Sequence, residues 1–204
     1  MNLINNPYFN QDIINKIGLF GGTFNPLHNG HIELAKNSIV SLNLDAVVFV
    51  PNYLSPFKSD QLILDDFHRF KMIELTLKNY INFFVSDFEI KSKNISYTIN
   101  TIKYFQSTFP KKKFVLLIGN DSLINFDKWF NFKEMLSLIE IGVFERDSSV
   151  YNNFNIKYKE IKGCKIDVSS SLIRDKIKHF LPINNLVPNE VLKYINENKL
   201  YLNS

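Results

Sequence analysis

The chain is short of the residues that build stapled, membrane-spanning or fibrous proteins. One cysteine among 204 residues excludes an intramolecular disulfide framework and fits a reducing compartment. No apolar run approaches the roughly 20 residues that a membrane helix needs, so a soluble, cytoplasmic protein without a membrane partner is expected. Residues 1–12 mix asparagines with isolated apolar side chains and lack a charged leader ahead of an apolar stretch, so no secretory signal is expected. Glycine and proline are sparse, seven of each, and nowhere gather into a linker. Neither sign of charge dominates, with 24 Lys and Arg against 20 Asp and Glu. The resulting net charge of +4 suits an anionic small molecule. The one tight basic run, Lys111-Lys112-Lys113, opens an apolar strand and reads as its solvated entry, so no nucleic-acid partner is expected.

What is present is apolar and regular. Hydrophobic residues make up 45% of the chain, 19 of them phenylalanine, enough for one full core. Strand-length apolar runs fall at Ile17–Phe20, Ala46–Pro51, Phe83–Phe88, Phe114–Gly119, Ile139–Phe144 and Lys165–Val168. Helical spacing separates them: Ile32, Ala35, Ile39 and Leu42, then Ile99, Ile102, Phe105 and Phe109. Asp65 or Asp66 is placed to cap a helix that buries Phe67, Phe70, Ile73 and Leu77, with Arg69 and Lys71 on its solvated side. Nearly continuous apolar strands alternating with helices predict an α/β fold, a doubly wound Rossmann-like parallel sheet covered by helices on both faces, with a small helical C-terminal part. The expected division is an extension over residues 1–15 and one domain over 16–204. The polar stretch from Asp147 to Lys162 reads as a loop.

Such a sheet binds ligands beyond the carboxyl ends of its strands, where the strand order reverses. The polar signals fall there. Gly21-Gly22-Thr23-Phe24-Asn25-Pro26-Leu27-His28-Asn29-Gly30-His31 joins the first strand to a helix. Glycines admit an anion close to the backbone, and a helix start adds unpaired N–H groups. A zinc reading of His28 and His31 lacks further ligands, because Cys164 has no histidine beside it. Ser169-Ser170-Ser171 opens a later helix, and Arg174 follows one turn on. The hydroxyls serve as caps, and with the guanidinium they form a second anion site.

Taken with PNYLSPFK (51–58), IGNDSL (118–123), DKWF (127–130) and VSSSLIR (168–174), the glycine–histidine turn resembles the bacterial nicotinate-nucleotide adenylyltransferases of the nucleotidylyltransferase superfamily. The resemblance runs from about Lys16 to Tyr201. It implies transfer of the adenylyl group of ATP to nicotinate mononucleotide, giving deamido-NAD and pyrophosphate, with magnesium brought by the ATP and no dedicated metal ligands. His28 and His31 would hold the phosphates, with Gly21, Gly22, Thr23 and Phe24 beside them. Ser169, Ser170, Ser171 and Arg174 would hold the departing pyrophosphate, and Gly119 and Asp121 would line the nucleotide pocket. Trp129, which composition alone reads as core, would stack on the pyridine ring, with N–H groups near Thr98 and Phe130 on its carboxylate. Arg146 is a further phosphate candidate. A homo-oligomer is compatible with the family.

One departure stands out. Where the family commonly has Pro-His-Lys, this chain has Pro56-Phe57-Lys58, so Lys58 would supply the charge and Phe57 a cover. His68 and His179 read as surface residues. Three alternatives stay open: a nucleotidylyltransferase for another acceptor or donor, a relative of the class I aminoacyl-tRNA synthetases, and a non-catalytic sensor of pyridine nucleotides.

Overall fold

A computed structural model describes residues 9–10, 12–57, 63–144, 156–163 and 167–202. The elements run β1 (Lys16–Gly22), α1 (Asn29–Leu42), β2 (Ala46–Pro51), α2 (Asp66–Leu77), β3 (Phe83–Val85), α3 (Phe88–Ser92) and α4 (Thr98–Thr108). They continue with β4 (Lys113–Gly119), α5 (Asn120–Ile124), a 3-10 turn (Phe126–Lys128), α6 (Phe132–Leu138), β5 (Glu140–Phe144), β6 (Lys159–Ile161), α7 (Ser170–Lys178) and α8 (Asn189–Glu197).

The strands form one parallel sheet of order β3-β2-β1-β4-β5-β6, so the order reverses between β1 and β4. Leu19 sits opposite Val48 on one side and Leu116 on the other. Alternation along these apolar strands feeds two cores. Phe20, Val47, Phe49, Val115 and Leu117 pack with α1, α2, α7 and α8. Leu19, Val48, Val50, Leu116 and Ile118 pack with α4, α5 and α6. This is the doubly wound architecture that the strand–helix alternation predicts. Phe9 and Ile14, which precede the expected start of the domain, belong to the second core.

Three expectations are corrected. The third strand stops at Val85 instead of reaching Phe88. Ser86 N–H still reaches Phe49 O, but Ser86 Oγ then accepts from Phe88 N at 3.3 Å and opens α3. The sixth strand is Lys159–Ile161, inside the stretch read as loop. Lys165 and Ile166 lie outside the described residues, and Asp167 and Val168 are not in a strand. With only Ile161 of its three residues buried, this charged edge strand has no apolar run to betray it.

The third correction concerns α2. Asp65 caps it, accepting from Phe67 N at 2.8 Å, but the buried stripe is Arg69, Met72, Ile73, Thr76 and Leu77. Phe67 is exposed, and Arg69 occupies an apolar position. Its guanidinium is satisfied by three carbonyls, with Nε on Leu64 O at 2.9 Å, Nη1 on Thr23 O at 2.8 Å and Nη2 on Asn52 O at 2.9 Å. Burial lowers its proton affinity from the ordinary value, with Asp66, Tyr201 and Asp65 acting the other way. Each charge-assisted bond replaces water that these carbonyls cannot otherwise reach. Arg69→Met should therefore lower stability by about 3 kcal/mol or more, and Arg69→Lys should recover only part, since an ammonium cannot span the fork. Urea denaturation checks this, and an unchanged midpoint in Arg69→Met would contradict it.

Candidate active site

The site is built on the turn between β1 and α1. Phe24 takes a left-handed backbone conformation (φ 48°), unusual for a residue with a side chain. It is held by burial of its ring against Phe20, Phe49 and His31, with centroids at 5.4, 5.7 and 4.9 Å. No glycine among the described residues has positive φ, so the glycines here supply space. A Cβ on Gly22 would meet the Phe24 ring at 3.0 Å, and one on Gly30 would meet Val168 at 2.9 Å and His28 Nδ1 at 3.1 Å. A Cβ on Gly21 or Gly119 would meet nothing within 4 Å. Gly21 is the next-to-last residue of β1 and Gly119 the last of the adjacent β4, and both open onto the crevice where the strand order reverses.

His28 is buried at the N-cap of α1, and its ring stacks on His31 with centroids 3.6 Å apart. His28 N–H donates to His31 Nδ1 at 3.2 Å. With Nδ1 accepting, a neutral His31 carries its proton on Nε2, which makes that atom a donor. The serine helix packs on the same turn. Ser170 Oγ donates to Pro26 O at 3.0 Å, and Arg174 Nη1 donates to Asn25 O at 2.8 Å. Ser169 is a cap in fact, accepting from Leu172 N at 3.2 Å, and its hydroxyl contacts that of Ser171 at 3.0 Å. Arg174 uses one of five N–H donors on Asn25, and the fork can offer others to an anion. The structure thus brings the His28–His31 pair together with Ser170 and Arg174, which lie far along the chain from it.

On the other side of Gly21, Gly22 and Thr23 lies a cavity of about 470 Å³. Its walls include Thr98, Asp121, Trp129, Phe130 and Phe57. Trp129 is half-buried, 5.1 Å from the Phe126 ring and 6.4 Å from Phe57. Phe130 stands against Tyr97 at 4.7 Å. Thr98 opens α4, whose N-cap Tyr97 makes no side-chain capping bond. Lys58 and Arg146, and likewise Cys164, lie outside the described residues. His68 contacts Tyr194 OH at 3.0 Å and His179 caps Asp175 O at 2.9 Å, so neither joins the site.

Sequence reasoning missed four residues here. Asn52 follows β2, lines the cavity and donates to Thr23 Oγ1 at 3.2 Å; its place just after a strand was the available signal. Glu89 is buried in the cavity wall. Arg69 holds Thr23 and Asn52. Tyr201, near the end of the chain, donates to Asn25 Oδ1 at 2.9 Å, and burial pushes its phenol well above the ordinary value. Nothing in the sequence pattern pointed to the last three.

Comparison with known proteins decides the family. The profile of the cytidylyltransferase-like family matches residues 19–176. The chain is 34% identical to the nicotinate-nucleotide adenylyltransferase of Bacillus subtilis, over 91% of this chain and 98% of that one. It belongs to the nicotinate-nucleotide adenylyltransferase family. The "probable nicotinate-nucleotide adenylyltransferase" of Clostridium acetobutylicum is 38% identical over 92% of this chain and 99% of that one. The solved nicotinic acid mononucleotide adenylyltransferase of Plasmodium falciparum, complexed with NaAD, shares the fold with a TM-score of 0.76 at 22% identity, covering 92% of this chain and 97% of that one.

The glycine geometry separates two otherwise similar substitutions. Gly21→Ala, entering open space, should leave the thermal midpoint unchanged or slightly raised. Gly22→Ala, driven into the Phe24 ring, should lower it by several degrees, corresponding to about 1–3 kcal/mol of overpacking. Differential scanning fluorimetry reads both, and equal midpoints would contradict the assignment.

Proposed function

We propose that the chain transfers the adenylyl group of ATP to nicotinate mononucleotide, releasing pyrophosphate and forming nicotinate adenine dinucleotide. The observation that carries this reading is the join of two unlike sites at Gly21–Thr23. On one side stand the stacked histidines and the Arg174 helix, suited to phosphates. On the other lies an aromatic-walled cavity that ends at a helix start.

An oxygen of the acceptor's phosphate attacks the α-phosphorus of ATP. As that bond forms, the bridging oxygen bond between the α- and β-phosphorus breaks, and its electron pair leaves with pyrophosphate. The nucleophile is already an anion, so no proton has to be removed and no protein nucleophile is needed. What the chain supplies is position and charge. His31 Nε2 and the spare Arg174 donors face the phosphates, with His28 behind the first imidazole. Ser170 and Ser171 lie at the first turn of α7, where N–H groups add positive potential. Lys58, next to the cavity residue Phe57, and Arg146, just beyond β5, are assigned as further phosphate partners.

Among the described residues no three His, Cys, Asp or Glu side chains gather to hold a metal ion. Magnesium brought by the ATP is assigned to the phosphates and their water, where it would neutralise charge, as is usual for nucleotide-bound magnesium. Trp129 takes the pyridine ring by stacking. Neutral N–H donors at Thr98 and Phe130 favour a carboxylate, which only accepts, over a carboxamide, which brings donors of its own. That preference selects nicotinate over nicotinamide.

Pyrophosphate release should be seen with ATP and nicotinate mononucleotide, and more weakly with nicotinamide mononucleotide, in a coupled assay over a panel of acceptors and both ATP and CTP. His31→Ala should lower turnover by about two to three orders of magnitude, the usual cost of one preorganised donor to a charged transition state. Nucleotide binding without pyrophosphate release would instead mark a sensor.

A further inference from the structure

The cavity wall contains a carboxyl group that the transfer reaction does not use. Glu89, in the short helix α3, is 8% exposed and faces the cavity. Its Oε1 accepts from Thr101 Oγ1, and Ser96 Oγ also bonds its carboxyl. Thr101 stands three residues beyond Thr98 in α4 and therefore on the same helix face. Ser96 lies in the segment that leads into α4. Its hydroxyl accepts from Tyr53 N at 2.9 Å and its own N–H donates to Leu54 O at 2.8 Å. One carboxyl thus ties α3, the first turn of α4 and the loop after β2.

We infer that Glu89 is a positioning residue for acceptor selectivity: it fixes the rotation and entry of α4 so that the Thr98 end of the helix is aimed at the acceptor's carboxylate. This rests on reading the cavity as the nicotinate mononucleotide site. The chemistry favours a hydrogen-bonded, proton-retaining carboxyl there. An ionised carboxylate in the same wall would repel the acceptor's own carboxylate, and burial pushes Glu89 toward its neutral form against the opposing pull of Thr101 and Ser96. A side chain of the same shape that is always neutral should therefore serve, and a side chain too short to reach Thr101 and Ser96 should not.

The test is steady-state kinetics on the full chain with nicotinate and nicotinamide mononucleotides as competing acceptors. Glu89→Ala should raise the KM for nicotinate mononucleotide about tenfold, the effect of losing one well-placed hydrogen bond, while the KM for ATP stays within about twofold. The kcat/KM ratio of nicotinate over nicotinamide acceptor should fall by a similar factor. Glu89→Gln should restore both to near the parent values. Thr101→Val, which keeps shape and removes only the hydroxyl, should shift the ratio in the same direction and covers the case in which Glu89→Ala does not fold. The inference is overturned if the selectivity ratio does not move, if both KM values rise together, or if Glu89→Gln is as impaired as Glu89→Ala. A parent chain that releases no pyrophosphate with nicotinate mononucleotide would sink the functional reading itself, whereas normal release with an unmoved ratio would sink only the role of Glu89.

Discussion

The structure depends on one irregular turn, residues 23–26, whose carbonyls are claimed by side chains from distant parts of the chain. Arg69 takes Thr23 O, Arg174 takes Asn25 O, Ser170 takes Pro26 O, and Tyr201 bonds the Asn25 side chain. A turn of this kind has no ladder or helix to satisfy its polar groups, and burying them unpaired would cost about 1–3 kcal/mol each. The clamps meet that cost and, in doing so, bring α2, α7 and the C-terminal segment to the same place. Phe24 can then hold its left-handed conformation and roof the turn with its ring. Fold and site share these contacts.

The geometry also sets two unlike surfaces along the crevice. Strand β1 ends in two glycines that face opposite ways: Gly21 toward the crevice and the cavity, Gly22 toward the Phe24 ring. Donors suited to phosphates gather where the histidine turn meets α7, and aromatic rings gather where α4 and Trp129 wall the cavity. A nucleotide lying over Gly21 and Gly119 would touch both. An attack by one phosphate on another needs this kind of frame, since two anions must be held together before any bond changes.

Much of this was legible in the chain. Continuous apolar strands such as Ala46–Pro51 and the 3.6-residue spacing of α1 and α4 carry their own periodicity, so the doubly wound sheet followed from local pattern. The glycine–histidine turn and the serine–arginine helix were legible because their residue types are chemically conspicuous. What escaped was non-local. Arg69 is charged, and only the tertiary position of three carbonyls makes burying it favourable. Strand β6 is Lys-Glu-Ile, whose pairing with β5 leaves no hydrophobic trace. Ser86 Oγ, accepting from Phe88 N, turns the chain out of β3 into α3, a side-chain contact that an apolar count ignores. Glu89 and Tyr201 gain meaning only from the partners that the fold delivers.

The central claim is that the His31 imidazole, backed by the stacked His28 ring, and the Arg174 guanidinium converge on a single triphosphate. A crystal structure of the chain with a non-hydrolysable ATP analogue tests it most directly. The account predicts His31 Nε2 and an Arg174 N–H nitrogen each within about 3 Å of oxygens of the same triphosphate, with the chain of phosphates crossing Gly21. A triphosphate that touches only one of the two residues, or lies away from the β1–α1 turn, would contradict it.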